Sequence, residues 1–411
     1  MRFVDLRPLR SSPDFRRLWT GTTTSTVGGQ IALVAVLAQV WDLTGSSVAV
    51  GAIGLTNAVP MILFGLLGGV LADSVDRRKL VLGTTLAQFA TAAMLAAQAL
   101  VGLGSLAVVL TLVAVQGTCM GLGAPARRTF VARLLPEHQV SAGVALNHLS
   151  FQAAMLAGPA IAGVVIAGWG VGACYVVDAL AFTVACYGVF RLPAMRPSGE
   201  PTRPGPRAIW EGWRFIGRRP VLRGAFLSDV LATVLAMPIA LFPAINAERF
   251  GGDPETLGLF LSAIAVGGIA AGLASGTITG AQRPGLVMLV SAGVWGAALV
   301  GFGLADSLWL TLCCLAVAGA ADTFSVVSRG SLVQLATPDS HRGRVTSVEY
   351  VVGAAGPDVG NFRAGLVAGA TSPVFAAVAG GALCVAGVAV LGLTSTPLRR
   401  FRIGRPTESP A

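Results

Sequence analysis

Five carboxylic acids stand inside otherwise apolar stretches: Asp178, Asp229, Asp322, Glu349 and Asp358. An ionised acid in hydrocarbon is costly, so one kept there is expected to bind and release a proton or to balance a buried cation. Arg329 follows Asp322 by seven residues, which places both on one helical face. There the guanidinium can hold the charge of the acid or compete with its proton. Asp229 and Asp322 are the leading proton-coupling candidates, with Glu349 and Asp358 next, and Asp178 reads as hydrogen-bonded structure. A static ion pair between helices is the plain alternative. Asp358 and Arg363 share the run Gly356-Pro357-Asp358-Val359-Gly360-Asn361-Phe362-Arg363, where Gly and Pro are expected to loosen a helix. Arg363, the second ion-pair candidate beside Arg329, can equally reach a membrane face by snorkelling.

Other chemistry lacks material. The chain has no P-loop, HExxH or GxSxG pattern, and its three histidines, His138, His148 and His341, lie beside expected loops or helix ends. No enzyme, direct ATP drive, metal site or cofactor is expected. Cys119, Cys174, Cys186, Cys313, Cys314 and Cys384 fall in apolar stretches without CxxC spacing and read as small buried apolar residues.

The elements that must hold these acids are membrane spans. Of 411 residues, 54% are hydrophobic and 12% charged, and the mean hydropathy is +0.74. That is too apolar for a single water-soluble core. Apolar windows bounded by charges, Gly and Pro predict twelve transmembrane helices at 17–41, 46–71, 80–101, 105–125, 140–167, 171–192, 221–246, 256–279, 285–304, 307–331, 345–369 and 373–395. The net charge of +10 finds its explanation in retention of Lys and Arg on the inner side rather than in nucleic-acid binding. Basic residues gather at Arg2 to Arg17, Arg77 to Lys79, Arg127 to Arg133, Arg191 to Arg223, Arg283, Arg329, Arg342, Arg344 and the tail. With these segments inside, both termini are cytoplasmic and the loop from Glu248 to Glu255 faces out. On this reading Asp229 lies roughly 12 Å, and Asp322 roughly 15 Å, from the inner ends of spans 7 and 10, so the two are level. Glu349, about one turn into span 11, reads first as part of an inner gate.

Pro193 to Pro206 is too polar to span and too interrupted to fold as a helix. The chain therefore divides into an N-terminal six-helix bundle (1–192), a cytoplasmic linker (193–220), a C-terminal six-helix bundle (221–396) and a cytoplasmic tail (397–411). Within the linker, Ile209 to Ile216 spaces apolar rings as an amphipathic interfacial helix does, with Arg218 and Arg219 following. The halves echo each other. Gly51 precedes Asp73 by 22 residues and Gly258 precedes Gly280 by 22, with Gly65 and Gly69 in register with Gly272 and Gly276. A repeat of this kind implies two pseudo-symmetric bundles with a binding cavity between them.

Between spans 2 and 3, Gly69-Val70-Leu71-Ala72-Asp73-Ser74-Val75-Asp76-Arg77-Arg78-Lys79 resembles the G-x-L-A-D-R/K-x-G-R-R/K signature of the major facilitator superfamily. It departs at Ser74, where a basic residue is usual, and at Asp76, where Gly is usual. The resemblance implies an inner gate of Gly69, Asp73, Arg77 and Arg78, in which Asp73 neutralises the positive end of the helix starting near Val345. The second-half loop carries Gly280 in place of the acid, so the gate is expected on one side only. On span 5, Gly158, Pro159 and Gly163 in Ala154-Met155-Leu156-Ala157-Gly158-Pro159-Ala160-Ile161-Ala162-Gly163 resemble the G-x-x-x-G-P-x-x-G-G element of exporters in this superfamily, with Ala154 and Ala162 replacing two glycines.

Over nearly its full length the chain is similar to the enterobactin exporter branch of the superfamily. The likeness is carried by Asp42 to Gly51, Arg283 to Leu289, Gln334 to Pro338 and Gly343-Arg344-Val345. It implies a secondary transporter in a bacterial inner membrane, exporting a siderophore or hydrophobic drug in exchange for protons, with the lipid bilayer as its surroundings and a monomer expected. An importer or facilitator of a small metabolite, or a transport-inactive sensor, would share the fold.

Overall fold

The computed structural model describes residues 5–196, 206–274 and 283–402. The middle of the linker, the second-half loop with Gly276 and Gly280, and the end of the tail lie outside the described residues.

Serine caps punctuate the chain. Ser12, Ser46, Ser105, Ser307 and Ser372 each accept a hydrogen bond from the backbone N–H three residues on, satisfying a donor that the first helical turn leaves free. Gly45 closes the first long helix in the left-handed region (φ 57°), which a side chain would resist. The first unit holds α1 (Arg7–Ser11), α2 (Pro13–Thr44), α3 (Ser47–Ser74), α4 (Arg77–Leu100), α5 (Leu106–Arg128), α6 (Phe130–Leu134) and α7 (Glu137–Phe190). The linker helix α8 (Pro206–Arg218) follows, then α9 (Pro220–Ala236), α10 (Phe242–Arg249), α11 (Pro254–Ala274), α12 (Pro284–Leu304), α13 (Leu308–Ala336), α14 (Asp339–Ala370), α15 (Pro373–Thr394) and α16 (Thr396–Arg400).

Ten helical segments among the described residues are long and apolar enough to cross a bilayer, one of them being all 54 residues of α7. Gly170, at φ 78° and ψ 174°, breaks α7 into two spans. With α14, whose charged residues dilute its hydropathy, the described residues hold twelve spans, and the chain is an all-α membrane protein.

Contacts divide the chain into Met1–Gly205 with Phe242–Ser262, and Pro206–Leu241 with Ala263–Ala411. Within the first unit α2 packs along α7, α3 on α5, and α4 on α5 and α7. Within the second, α9 packs on α14 and α15, and α12 on α13 and α15. The second span meets the fourth, and separately the eighth meets the tenth, through glycine. A Cβ at Gly68 would lie 2.6 Å from the Leu122 carbonyl oxygen, and one at Gly267 or Gly319 would run into the backbone of Ala316 or Ile264. Bare backbone is what lets helices approach this closely in lipid.

Three sequence expectations change here. The seventh span is not one helix over 221–246. Pro238 lacks an amide N–H and forces Met237 into extended backbone (ψ 123°), so α9 stops at Ala236 and α10 starts only at Phe242. Asn361 repairs part of the break by accepting the Ala240 N–H at 3.1 Å. The Gly356 to Arg363 run does not loosen α14, which stays continuous through Pro357; Gly356 instead faces the Thr233 side chain of α9 and Gly360 the Thr233 carbonyl. Cys313 is exposed on its helix rather than buried, while all six cysteines are unpaired.

The amphipathic linker segment does form a helix. α8 rests on α14 through Ile216, which is buried, an ion pair between Glu211 and Arg344 at 3.2 Å, and Phe215 stacked on His341 at 4.3 Å. Trp210 and Trp213 face outward.

Candidate functional site: a buried charge cluster and two helix seams

The second unit gathers three of the acids around one arginine. Arg329 is not an inner anchor, as its place in the basic series suggested. The tenth span runs five residues past 331, to Ala336, and Arg329 lies inside it, 8% exposed and ion-paired to Asp229 of α9. Asp322 stands two turns away on α13 and Glu349 on α14, and both feel the charges of Arg329 and Asp229. Because α14 starts at Asp339 rather than near Val345, Glu349 sits about 15 Å into its helix and joins this cluster. The Arg329 Nε has no hydrogen-bond partner. A cavity of about 670 Å³ borders the cluster, with Ser331, Gln334, Thr337, Thr346 and Glu349 among its walls. One guanidinium cannot balance three carboxylates. Charge neutrality in such a place requires protons or a cationic ligand.

Asp358 and Arg363 stay apart from that cluster. Arg363 lies beside the Pro238 break with Pro238, Leu241 and Leu299, and its Nε is buried without a partner.

The gate residues lie on the short connection between α3 and α4. Asp73 Oδ1 pairs with Arg77 Nη2 at 3.4 Å, and Arg77 Nε donates to the Ala72 carbonyl at 2.9 Å. Arg78 reaches the other way, donating to the Phe190 carbonyl at 2.5 Å with its guanidinium 5.6 Å from the Phe190 ring centre. At Gly69 a Cβ would meet nothing within 4 Å, so the tight contact of this motif belongs to Gly68. Asp76, a departure from the signature, turns out to be the organising residue. Its carboxylate caps α4 by accepting the Arg78 N–H at 2.9 Å and also accepts the Met195 N–H at 3.1 Å. Arg77 N–H returns a bond to the Met195 carbonyl at 3.1 Å. Burial works to raise the Asp76 carboxyl, but backbone donors from Met195, Arg78 and Lys79, with the Lys79 charge, outweigh it and hold it below the ordinary carboxylate range. An Asp just before a helical Arg-Arg-Lys run is an N-cap signal that was legible in the sequence.

Gly158, Pro159 and Gly163 form a second seam. α7 remains helical through Pro159. Gly158 faces Gln30 of α2, and a Cβ at Gly163 would lie 2.8 Å from the Glu255 Cα of α11. Gly258 packs onto the Pro159 carbonyl, and Ser262 Oγ donates to the Leu156 carbonyl at 3.0 Å. The motif is therefore a close-packing site that takes its partner residues from α2 and from Pro254–Ser262.

Polar contacts absent from the sequence reading also appear. Arg127 donates to Thr85 Oγ1 at 2.6 Å, tying α5 to α4. Gln39, Gln98 and Tyr175 form a buried hydrogen-bonded group, with the Tyr175 hydroxyl donating to Gln39 Oε1 at 2.8 Å. Two glutamines and a tyrosine in three separated spans carry no spacing signal that would have joined them.

A family described as transmembrane secretion effector matches residues 4–402. The chain belongs to that family, within the major facilitator superfamily. Enterobactin exporters of Shigella boydii serotype 18 and Escherichia coli O1:K1 are each 28% identical over 403 residues, covering 97% of this chain and 96% of theirs. Among solved structures, a nucleoside transporter superposes with a TM-score of 0.77 at 11% identity, covering 92% of this chain and 99% of its own. A peptide transporter bound to alafosfalin gives 0.76 at 12% identity, covering 96% of each. At such identities these structures support the fold alone. The protein is a multi-pass membrane transporter.

Proposed function

We propose that the chain is a proton-driven exporter of a small amphiphilic molecule, a siderophore or hydrophobic drug, working by alternating access. The observation that carries this reading is the buried excess of acid around Arg329, beside a cavity large enough for a small molecule. Asp229 occupies the guanidinium, leaving Asp322 and Glu349 to take up protons when the cavity dries and to release them when it wets. A substrate entering from the cytoplasm favours release, and protons arriving from outside favour reset. The names of the curated relatives support export and a siderophore-like cargo. The cavity walls mix hydroxyls, an amide and an acid with Val333, Leu335 and Val345, a lining suited to an amphiphile.

On this reading both termini lie in the cytoplasm of a bacterial inner membrane, and a monomer of two bundles, 1–192 and 221–396, moves about the linker 193–220. Asp73, Arg77 and Arg78 close the inner side, and replacing Asp73 with Asn slows export without removing protein from the membrane. The orientation is checked by a lone cysteine at Asp253, which reacts with an impermeant maleimide added outside; labelling only after permeabilisation reverses the topology.

Coupling is tested by efflux from proteoliposomes under an imposed pH gradient, comparing wild type with Asp229→Asn and Asp322→Asn at equal reconstitution. Uphill transport is expected to fail in both while substrate still binds. If both variants concentrate substrate in response to the gradient, the coupling proton sits elsewhere, with Glu349 or Asp358 next in line.

A further inference from the structure

We infer that Asp178 is a proton-binding site of the first unit, a carboxyl carried as the neutral acid in the seam between α2 and the second half of α7. Its side chain is 1% exposed and its Oδ1 has no hydrogen-bond partner. The seam leaves no room for hydration at Oδ1. A Cβ at Gly28 would lie 2.8 Å from Asp178 Oδ1 and 2.9 Å from the Ala181 Cβ; one at Gly21 would lie 2.9 Å from the Ala185 Cα, and one at Gly188 2.6 Å from the Arg17 carbonyl oxygen. Backbone meets side chain or backbone at each of these points, whereas a water needs its own volume and at least two polar partners.

No positive charge compensates the site. On its own helix the titratable neighbours are Tyr175 and Cys174, both acids, and the Tyr175 hydroxyl is committed to Gln39. From α4, Phe89 and Ala92 pack with Ala179 and Phe182, and the buried Arg127 guanidinium held by Thr85 and Gln88 acts on Cys186, eight residues or about 12 Å along α7 from Asp178. On α2 the basic group nearest along the seam is Arg17, whose carbonyl faces Gly188, ten residues or about 15 Å along α7, and whose guanidinium pairs with Asp14. A carboxylate ion sealed in these surroundings would cost several kcal/mol, and a bound proton removes that cost. Ionisation then requires α2 and α7 to part far enough to admit water, so the proton latches the seam and its loss loosens it. The site is independent of the Arg329 cluster, and the band that differs between wild type and the Asp178 variants belongs to Asp178, so coupling through Asp229 or Asp322 can fail without touching it.

The test is infrared spectroscopy of the full chain in proteoliposomes at neutral pH, in H2O and D2O, for wild type, Asp178→Asn and Asp178→Leu. Both replacements are neutral, as the protonated acid is, so both are expected to accumulate in the membrane at the wild-type level. One protonated-carboxyl band that shifts in D2O is expected in wild type and lost from both variants. An undiminished band in either variant overturns the assignment. So does failure of both variants to accumulate, which is the outcome for an ion balancing a positive charge that a neutral residue would strand.

Discussion

Asp229 and Asp178 are the same residue type on apolar helices, yet one meets an arginine and the other a glycine. The pairing at Asp229 keeps two charges in a cluster that reaches a cavity through Glu349, and each depends on the other. At Asp178 a backbone fills the space where a partner would stand. Burial by itself therefore says little about the role of an acid; what the facing helix presents decides whether replacing it strands a charge or removes none.

The largest effect expected from that contrast is at Arg329. Arg329→Met leaves Asp229, Asp322 and Glu349 without their shared cation, and the loss should be about 3–5 kcal/mol, read as lower thermal stability in detergent and lower accumulation. The double variant Asp229→Asn/Arg329→Met should recover part of it, because fewer charges are stranded. If Arg329→Met is as stable as wild type, the ion pair is not what holds α9 to α13, and the contrast with Asp178 collapses.

Next come the glycine seams, which sharpen the comparison by showing what close backbone approach contributes without charge. Gly258→Val forces a side chain into the Pro159 carbonyl, and about 1–3 kcal/mol of destabilisation is expected. Gly68→Ala should likewise be felt. Gly69→Ala, one residue on but facing open space, should change stability by no more than about 0.5 kcal/mol. Equal effects at Gly68 and Gly69 would mean that the seam between α3 and α5 yields freely.

A smaller loss than at Arg329 or Gly258 belongs to Asp76, whose charge is satisfied by backbone donors rather than by an arginine. Asp76→Ala should cost about 1 kcal/mol, the ordinary worth of an N-cap. Since the folded carboxyl titrates below its unfolded value, this stability is present above the unfolded carboxylate pKa and is lost as pH falls through the lower folded value. The difference in melting temperature between wild type and Asp76→Ala should accordingly shrink on acidification and be constant around neutrality. A gap that persists unchanged in acid would place the effect in packing instead.

Spans, caps and seams were largely legible in the residue string, because each is a local or periodic property. Apolar runs of spanning length announce helices, serine before such a run announces its start, and Gly158 and Gly163 announce close packing, whereas at the Gly65 and Gly69 register the tight contact falls on Gly68. The same string placed Asp229, Asp322 and Arg329 among the residues that matter. It set Arg329 beside Asp322 on one helical face and put Asp229 level with Asp322, but it could not show that the guanidinium pairs with Asp229 across helices, because sequence spacing reports neighbours on one helix and not which helix faces it. Glu349 joined the cluster only once α14 was found to begin six residues earlier than hydropathy suggested. Pro238 was visible as a residue, but hydropathy runs through it unbroken, and only the backbone records where α9 ends. Asp178 shows the limit most plainly: sequence assigned it a hydrogen bond, as most buried acids have, whereas the partner that faces it is Gly28, some 150 residues away. Element identity follows from short-range pattern and solvent, while the pairing of buried charges follows from which helix faces which, and that is a property of the packed fold.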